Sequence, residues 1–245
     1  MSETSRRQPT SGGLFCFLFS HPKHFFRLPA VSQTWVKRCN RGEFFVSEPV
    51  DNATIYADRD RGGWTSLSAI PYSTVFSEIP DNYEHLLSRG IYALHFAYRA
   101  YPDFDWYFKA DGDSYVIVEN LKAYLATFDP SMPVYLGFRM HDGKGDYMWY
   151  ENEDVGIARC LRSIGIYPED TRTPEGRQRF NPVRFEQIFA RTGIGKKWIF
   201  DRFDPNFKGL DAIPSDFISV HHVTPAEVLA YDALLYRVKV ARISE

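Results

Sequence analysis

The chain is short of what marks a nucleic-acid or membrane-surface protein. Its 29 basic and 31 acidic residues leave a formal net charge of −2, so no broad field draws it to phosphate backbones or anionic lipid. The apolar run Leu14–Phe19 falls far below the ~20 residues a bilayer helix needs. The opening Ser/Arg/Gln/Pro/Thr/Gly stretch lacks the apolar stretch of a secretory signal, and residues 1–12 are expected to form a disordered lead. No Gly-x-Gly-x-x-Gly fingerprint, Walker loop, Gly-x-Ser-x-Gly elbow, His-Glu-x-x-His or Cys-x-x-Cys pair occurs, which argues against dinucleotide-dependent hydride transfer, P-loop ATPase and serine hydrolase chemistry. Cysteine is scarce: Cys16, Cys39 and Cys160 leave at least one thiol without an internal partner. Spacing alone favours three reduced, buried thiols, with a Cys16–Cys39 meeting as the alternative.

What is present fits an α/β domain. At 245 residues the chain can bury a full core. It has no repeat, low-complexity tract or linker, so one domain over 13–240 is the simplest organisation. Leu14–Phe19 and Phe44–Val46 are expected strands around a helix over Pro29–Cys39, the start of a parallel sheet flanked by helices. The charged stretch Asp58–Gly63 is expected to be a loop. From Asn82 to Tyr101, the residues Tyr83, Leu86, Leu87, Ile91, Leu94 and Tyr98 recur at helical spacing and predict one buried face. Further helices are expected over Val116–Phe128, Glu153–Ile164 and Pro225–Val238, and further strands over Trp106–Ala110, Val134–Phe138 and Phe217–His221. Aromatics make up 16% of the chain; core packing explains them better than ring stacking on ligands.

The stretch richest in chemistry is Trp106 to Val116, an aromatic strand running into Asp111-Gly112-Asp113. Open α/β sheets bind ligands at the carboxyl edge of their strands. Two carboxylates there suit a hard divalent cation carrying a diphosphate. Gly112 is expected to let the backbone turn between them. Glu153-Asp154 opens a predicted helix, where carboxylates favour the dipole and serve equally well as a plain cap. His221-His222 ends the last predicted strand, and such histidines are more often packed or solvated than ligating. These three sites nonetheless converge on one sheet edge if the topology is parallel.

Residues Trp106 to Asn120, WYFKADGDSYVIVEN, closely resemble the D-W-F-x-K-A-D-D-D-T-Y-V-I-V-E-N-L core of the Fringe-like β1,3-glycosyltransferases of family 31. The nearest branch is the core 1 β1,3-galactosyltransferases. Ser32 to Asn40 resembles that family's T-W-x-x-R-C-N, and Pro133 to Gly137 its P-x-Y-x-G strand. Glu153 to Leu161 is similar to E-D-L-x-L-G-R-C-L, and Ser219 to Val223 to S-F-H-Y-V. The likeness runs in order from about residue 14 to 237.

The resemblance implies a GT-A-type fold and inverting, Mn²⁺-dependent transfer of galactose from UDP-galactose to the 3-hydroxyl of GalNAc on Ser or Thr of a glycoprotein. It assigns Asp113 and His221 to the metal, Asp111 to the ribose or a metal-bound water, and Asp154 to the general base, with Glu153 the weaker choice. Trp198 and Phe200 fall in its acceptor loop. It implies a disulfide between Cys16 and Cys39, a Golgi-lumenal type II membrane protein whose anchor is not in this sequence, and a homodimer as one compatible assembly. Neither nucleic acid nor a membrane surface is an expected partner of the domain itself.

Departures accompany the matches. Gly112 stands where the family has a middle Asp, Leu87 where it usually has Trp, and Ala158 where it has Gly. Between Tyr147-Met148 and Glu153, the family carries a small-residue stretch, a helix and a further Cys that this sequence lacks. The expected consequences are a shortened pocket wall and no partner for Cys160. The rival expectation is a non-catalytic, chaperone-like or degenerate relative. Retention of Asp111, Asp113, Asp154 and His221 argues against it.

Overall fold

Each strand of the larger sheet ends near one edge, and that edge gathers the chemistry. A computed structural model describes residues 13–50, 70–139, 153–190 and 209–241. β1 (Leu14–Phe19) is central. β2 (Arg41–Phe45) and β3 (Tyr72–Ser73) follow on one side and β4 (Trp106–Asp111) on the other, giving the order β3-β2-β1-β4 with every pairing parallel. The last residues of β1 and β4, Phe19 and Asp111, lie side by side. The expected α/β class with a mostly parallel sheet flanked by helices is the one observed.

β1 is buried on both faces, as its unbroken apolar sequence demands. Side chains alternate across a strand. Leu14, Cys16 and Leu18 therefore enter one core with Leu28, Val31 and Trp35, while Phe15 and Phe17 enter a second core with Phe45, Phe76, Ala93 and Ala97. Phe17 stacks on Phe45 at 5.3 Å between ring centroids. Much of the aromatic richness is thus core packing.

α1 (Leu28–Gln33) is shorter than the expected Pro29–Cys39 helix. Thr34 breaks it at φ −112°, ψ −107°, with its hydroxyl donating to the Ala30 carbonyl at 2.7 Å, a local bond that competes with helix continuation. The chain resumes as a single 3-10 turn, Val36–Arg38, and delivers Cys39 to Cys16. That disulfide, implied by the family resemblance, is present with Cα atoms 6.1 Å apart. Cys160 is free and exposed.

α2 (Leu86–Ala100) corrects the expected face. Tyr83, before the helix, and Ile91, Leu94 and Tyr98 within it are exposed, and the helix buries Arg89, Gly90, Ala93 and Ala97 instead. Ala93 and Ala97 are small because they pack among phenylalanine rings, one of them Phe45, whose ring meets Phe96 edge-on, and Gly90 leaves room for Glu153 and Ile157, which a Cβ there would strike. Apolar periodicity ranked the large residues first, but close packing selected the small ones.

β5 (Tyr115–Val116) and α3 (Val118–Leu125) replace the single expected helix over Val116–Phe128. The expected Val134–Phe138 strand is reduced to one bridge, Tyr135 to Pro168. Pro133 donates no backbone hydrogen bond, and Gly137 adopts φ 150°. α4 (Glu153–Ser163) lies where the helix over Glu153–Ile164 is expected. Two elements had no clear sequence signal, β6 (Phe180–Asn181) and α5 (Phe185–Ala190). β7 (Ser219–Val220) is shorter than expected, and α6 (Pro225–Tyr236) starts at a Thr224/Glu227 capping box. Together β5, β7 and β6 form a second sheet, with β7 antiparallel to β5 and parallel to β6. No helix among the described residues is long and apolar enough to cross a membrane.

Candidate active site

The acidic turn leaves β4 at the carboxyl edge and is pinned from several directions. The Ser114 amide donates to the Asp111 carbonyl at 3.1 Å, closing the turn. Behind it, the buried Trp35 indole donates to the Ser114 carbonyl at 2.9 Å. From the second sheet, the Val223 amide donates to the Asp113 carbonyl at 2.9 Å. Gly112 is not demanded by this geometry. Its φ lies outside the left-handed region, and a Cβ there would meet only the Phe19 carbonyl, at 3.9 Å. The expected need for glycine is therefore corrected, because an ordinary turn conformation suffices.

Antiparallel pairing of β5 with β7 sets Tyr115 opposite Val220 and so carries the residues after β7 over the residues before β5. This register brings His221 to the acidic turn. His221 Nε2 lies 3.1 Å from Asp113 Oδ1 and 3.5 Å from Asp111 Oδ2. His222 Nδ1 lies 3.8 Å from Asp113 Oδ2, and Arg27 Nη1 approaches the same oxygen at 3.1 Å. One donor atom from each of Asp113, His221 and His222 fits within a 4.8 Å spread. The carboxylate and imidazole donors are of the kind a divalent cation takes.

Electrostatics follow from these contacts. Burial disfavours the charged form of Asp113, but the His221 hydrogen bond, the nearby His222 imidazole and the charges of His221 and Arg27 hold its carboxyl well below the usual range. Burial likewise opposes a charged His221, yet the Asp113 hydrogen bond and the Asp113 and Asp111 charges raise its pKa. Surrounding protein also disfavours ionised Asp111, and the Lys109 ammonium outweighs that effect and lowers its pKa.

Lys109 links the turn to α4. Its Nζ lies 2.8 Å from Asp111 Oδ1 and 2.8 Å from Glu153 Oε2. Desolvation would lower the Lys109 pKa, but these two carboxylates raise it well above the ordinary value. Glu153 is pushed up by burial, with Lys109 opposing. The two carboxylates opening α4 diverge: the Glu153 side chain is 11% exposed, while Asp154 faces solvent and accepts from the Val155 amide at 2.8 Å. Both stand near Tyr135, whose phenol is pushed up by burial and then by the charges of Asp154 and Glu153. Lys109 was no candidate in the sequence, although a lysine two residues before an acidic pair, on the same strand face as the first Asp, is a readable signal. Trp198 and Phe200, and residues 148–152 of the shortened stretch near 148–153, lie outside the described residues, as does the expected Asp58–Gly63 loop.

The sequence is 24% identical over 260 residues to glycoprotein-N-acetylgalactosamine 3-beta-galactosyltransferase 1 of Xenopus laevis, an alignment covering 92% of this chain and 67% of the relative. Among solved structures, a glycosyltransferase involved in glycosylation of the major capsid of PBCV-1 aligns over 91% of this chain and 99% of its own. That likeness is loose, at 14% identity and a TM-score of 0.36. Residues 20–142, which run from the end of β1 through the acidic turn, match the family described as Fringe-like, and the chain belongs to the Fringe-like family.

Proposed function

We propose that this chain is an inverting, manganese-dependent glycosyltransferase that moves galactose from UDP-galactose to the 3-hydroxyl of GalNAc α-linked to Ser or Thr of a glycoprotein, in the Golgi lumen. The observation that supports it best is the meeting of Asp113, on the turn between β4 and β5, with His221, just past β7, at 3.1 Å at the carboxyl edge. The name of the Xenopus relative suggests the sugar and the acceptor.

Asp113 and His221 would hold the cation, and their donor atoms fit it in type and spacing. When bound, the cation acts as a Lewis acid toward the diphosphate leaving group. Asp111, steadied by Lys109 and 46% exposed, is available to the ribose or a metal-bound water. Arg27, 27% exposed beside Asp113, can turn its guanidinium to phosphate oxygens. Asp154 is the general base for the acceptor hydroxyl. It faces solvent, whereas Glu153 is committed to Lys109. One base and one in-line displacement are enough for inversion, so no enzyme nucleophile is needed. Trp198 and Phe200 are assigned to the acceptor's apolar sugar face.

The test is transfer from UDP-galactose to a GalNAc-bearing peptide, with and without Mn²⁺, by the wild type, Asp113→Ala and Asp154→Asn. Mn²⁺-dependent product from the wild type alone is expected. Absence of turnover in a folded, Mn²⁺-binding wild type would overturn the enzymatic reading and favour a non-catalytic relative.

A further inference from the structure

His221 and His222 are consecutive, and on an extended strand consecutive side chains point to opposite faces. Here they do not. Their rings stack with centroids 4.0 Å apart and planes 15° from parallel, and both approach the same carboxylate. The cause is in the backbone: His222 has φ 61°, the sole positive φ outside glycine among the described residues. A left-handed backbone carries a strain cost at any residue but glycine. That cost is met at the one residue where it turns a second imidazole back toward Asp113.

We propose that His222 is a third protein ligand, so that Asp113, His221 and His222 together form a two-histidine, one-carboxylate centre selective for first-row transition ions over Mg²⁺ and Ca²⁺. This rests on the metal site of the proposed function and adds its ligand count and selectivity. The spacing suits it. With ligand bonds of about 2.0–2.2 Å, adjacent donors on one ion lie about 3–3.6 Å apart; His221 Nε2 meets that range at 3.1 Å from Asp113 Oδ1, His222 Nδ1 stands a few tenths of an ångström beyond it at 3.8 Å from Asp113 Oδ2, and one donor atom from each of the three residues falls within a 4.8 Å spread. Neutral imidazole is a borderline-soft donor that suits Mn²⁺ less than Co²⁺, Ni²⁺ or Zn²⁺, while Mg²⁺ and Ca²⁺ prefer oxygen. Each added imidazole therefore moves the site along the Irving–Williams order.

Binding of Co²⁺, Mn²⁺ and Mg²⁺ to the full chain tests this without turnover. His222→Gly fits the left-handed backbone and removes the donor; Asp113→Ala is the companion. The wild type should show a Co²⁺ visible band and two imidazole nitrogens coupled to bound Mn²⁺ by pulsed electron paramagnetic resonance. His222→Gly should show one nitrogen, at least about tenfold weaker Co²⁺ binding, and Mg²⁺ affinity unchanged. A single coupled nitrogen in the wild type, or Co²⁺ affinity unchanged in His222→Gly, overturns the His222 assignment. If Asp113→Ala still loses the metal, the proposed function survives that failure. No metal bound by the wild type sinks both. The nitrogen count is read on the wild type alone, so it decides the matter even if the variant fails to fold.

Discussion

Replacing Lys109 with methionine keeps the length of the side chain and removes its charge, leaving Asp111 and Glu153 without their shared ammonium. At an effective dielectric near 20, two unit charges 2.8 Å apart attract by about 6 kcal/mol, a gross figure that desolvation largely offsets. Removing one partner of a fully buried pair costs about 3–5 kcal/mol, whereas surface pairs are worth about 0–1 kcal/mol. Glu153, at 11% exposed, lies near the first limit, and Asp111, at 46%, near the second. The expected loss is therefore about 2–3 kcal/mol. For a chain of this size that is roughly 4–12 °C in Tm. Glu153 is already pushed toward its protonated form, and without Lys109 it should take up a proton, so the loss should be smaller at pH 5 than at pH 8. Urea denaturation of the wild type, Lys109→Met, Glu153→Gln and the double variant closes a cycle whose coupling should exceed about 1 kcal/mol. A coupling under about 0.5 kcal/mol, or a loss independent of pH, would refute the view that Lys109 ties α4 to the acidic turn.

Three further outcomes follow from the same geometry. Gly112→Asp should fold with stability within about 0.5 kcal/mol of wild type, checked by thermal denaturation, because nothing crowds its Cβ and its φ is ordinary. Cys16→Ala with Cys39→Ala should cost about 3 kcal/mol, the loop-closure value for a separation of 23 residues, read as a lowered urea midpoint under non-reducing conditions. The third outcome concerns pH. The His221 pKa is raised in the metal-free fold, so its contribution is complete below about 6.5 and is lost as pH climbs through the raised value. The Asp113 pKa is depressed, so its contribution is complete above about 3.9 and is lost as pH falls through the depressed value. Metal-free wild type should accordingly be stabilised most over His221→Gln between about pH 4 and 6.5, with the difference shrinking toward pH 9 in denaturation curves.

The sequence was most legible where signals were local and unbroken. β1 has the expected bounds because six consecutive apolar residues have no amphipathic alternative, and β4 starts at the expected Trp106 but runs one residue past the expected Ala110, to Asp111, because its aromatics run straight into a turn. Asp111 and Asp113 could be picked out for the same reason. That His221 reaches them depends on the β5–β7 register, which pairs Val116 with Ser219 across about a hundred residues. Motif resemblance anticipated that meeting, but periodicity could not. His222 was passed over because its aim follows from one backbone angle, and a histidine's φ cannot be read from its neighbours. On α2, hydrophobic spacing selected Ile91, Leu94 and Tyr98, while burial selected Ala93 and Ala97, because the opposing phenylalanines leave room only for small side chains. The split of Pro29–Cys39 at Thr34 came from a side-chain hydrogen bond that competes within the helix, a contest that propensity does not resolve.

The central claim is that Asp113 and His221 hold a cation which in turn holds a nucleoside diphosphate. Calorimetric titration of UDP into the chain, with and without saturating Mn²⁺, tests it most directly. Tight UDP binding by the wild type should require Mn²⁺ and should be lost in Asp113→Ala and in His221→Ala, while Asp154→Asn binds like wild type. UDP binding of equal strength without Mn²⁺, or retained in Asp113→Ala, would contradict it.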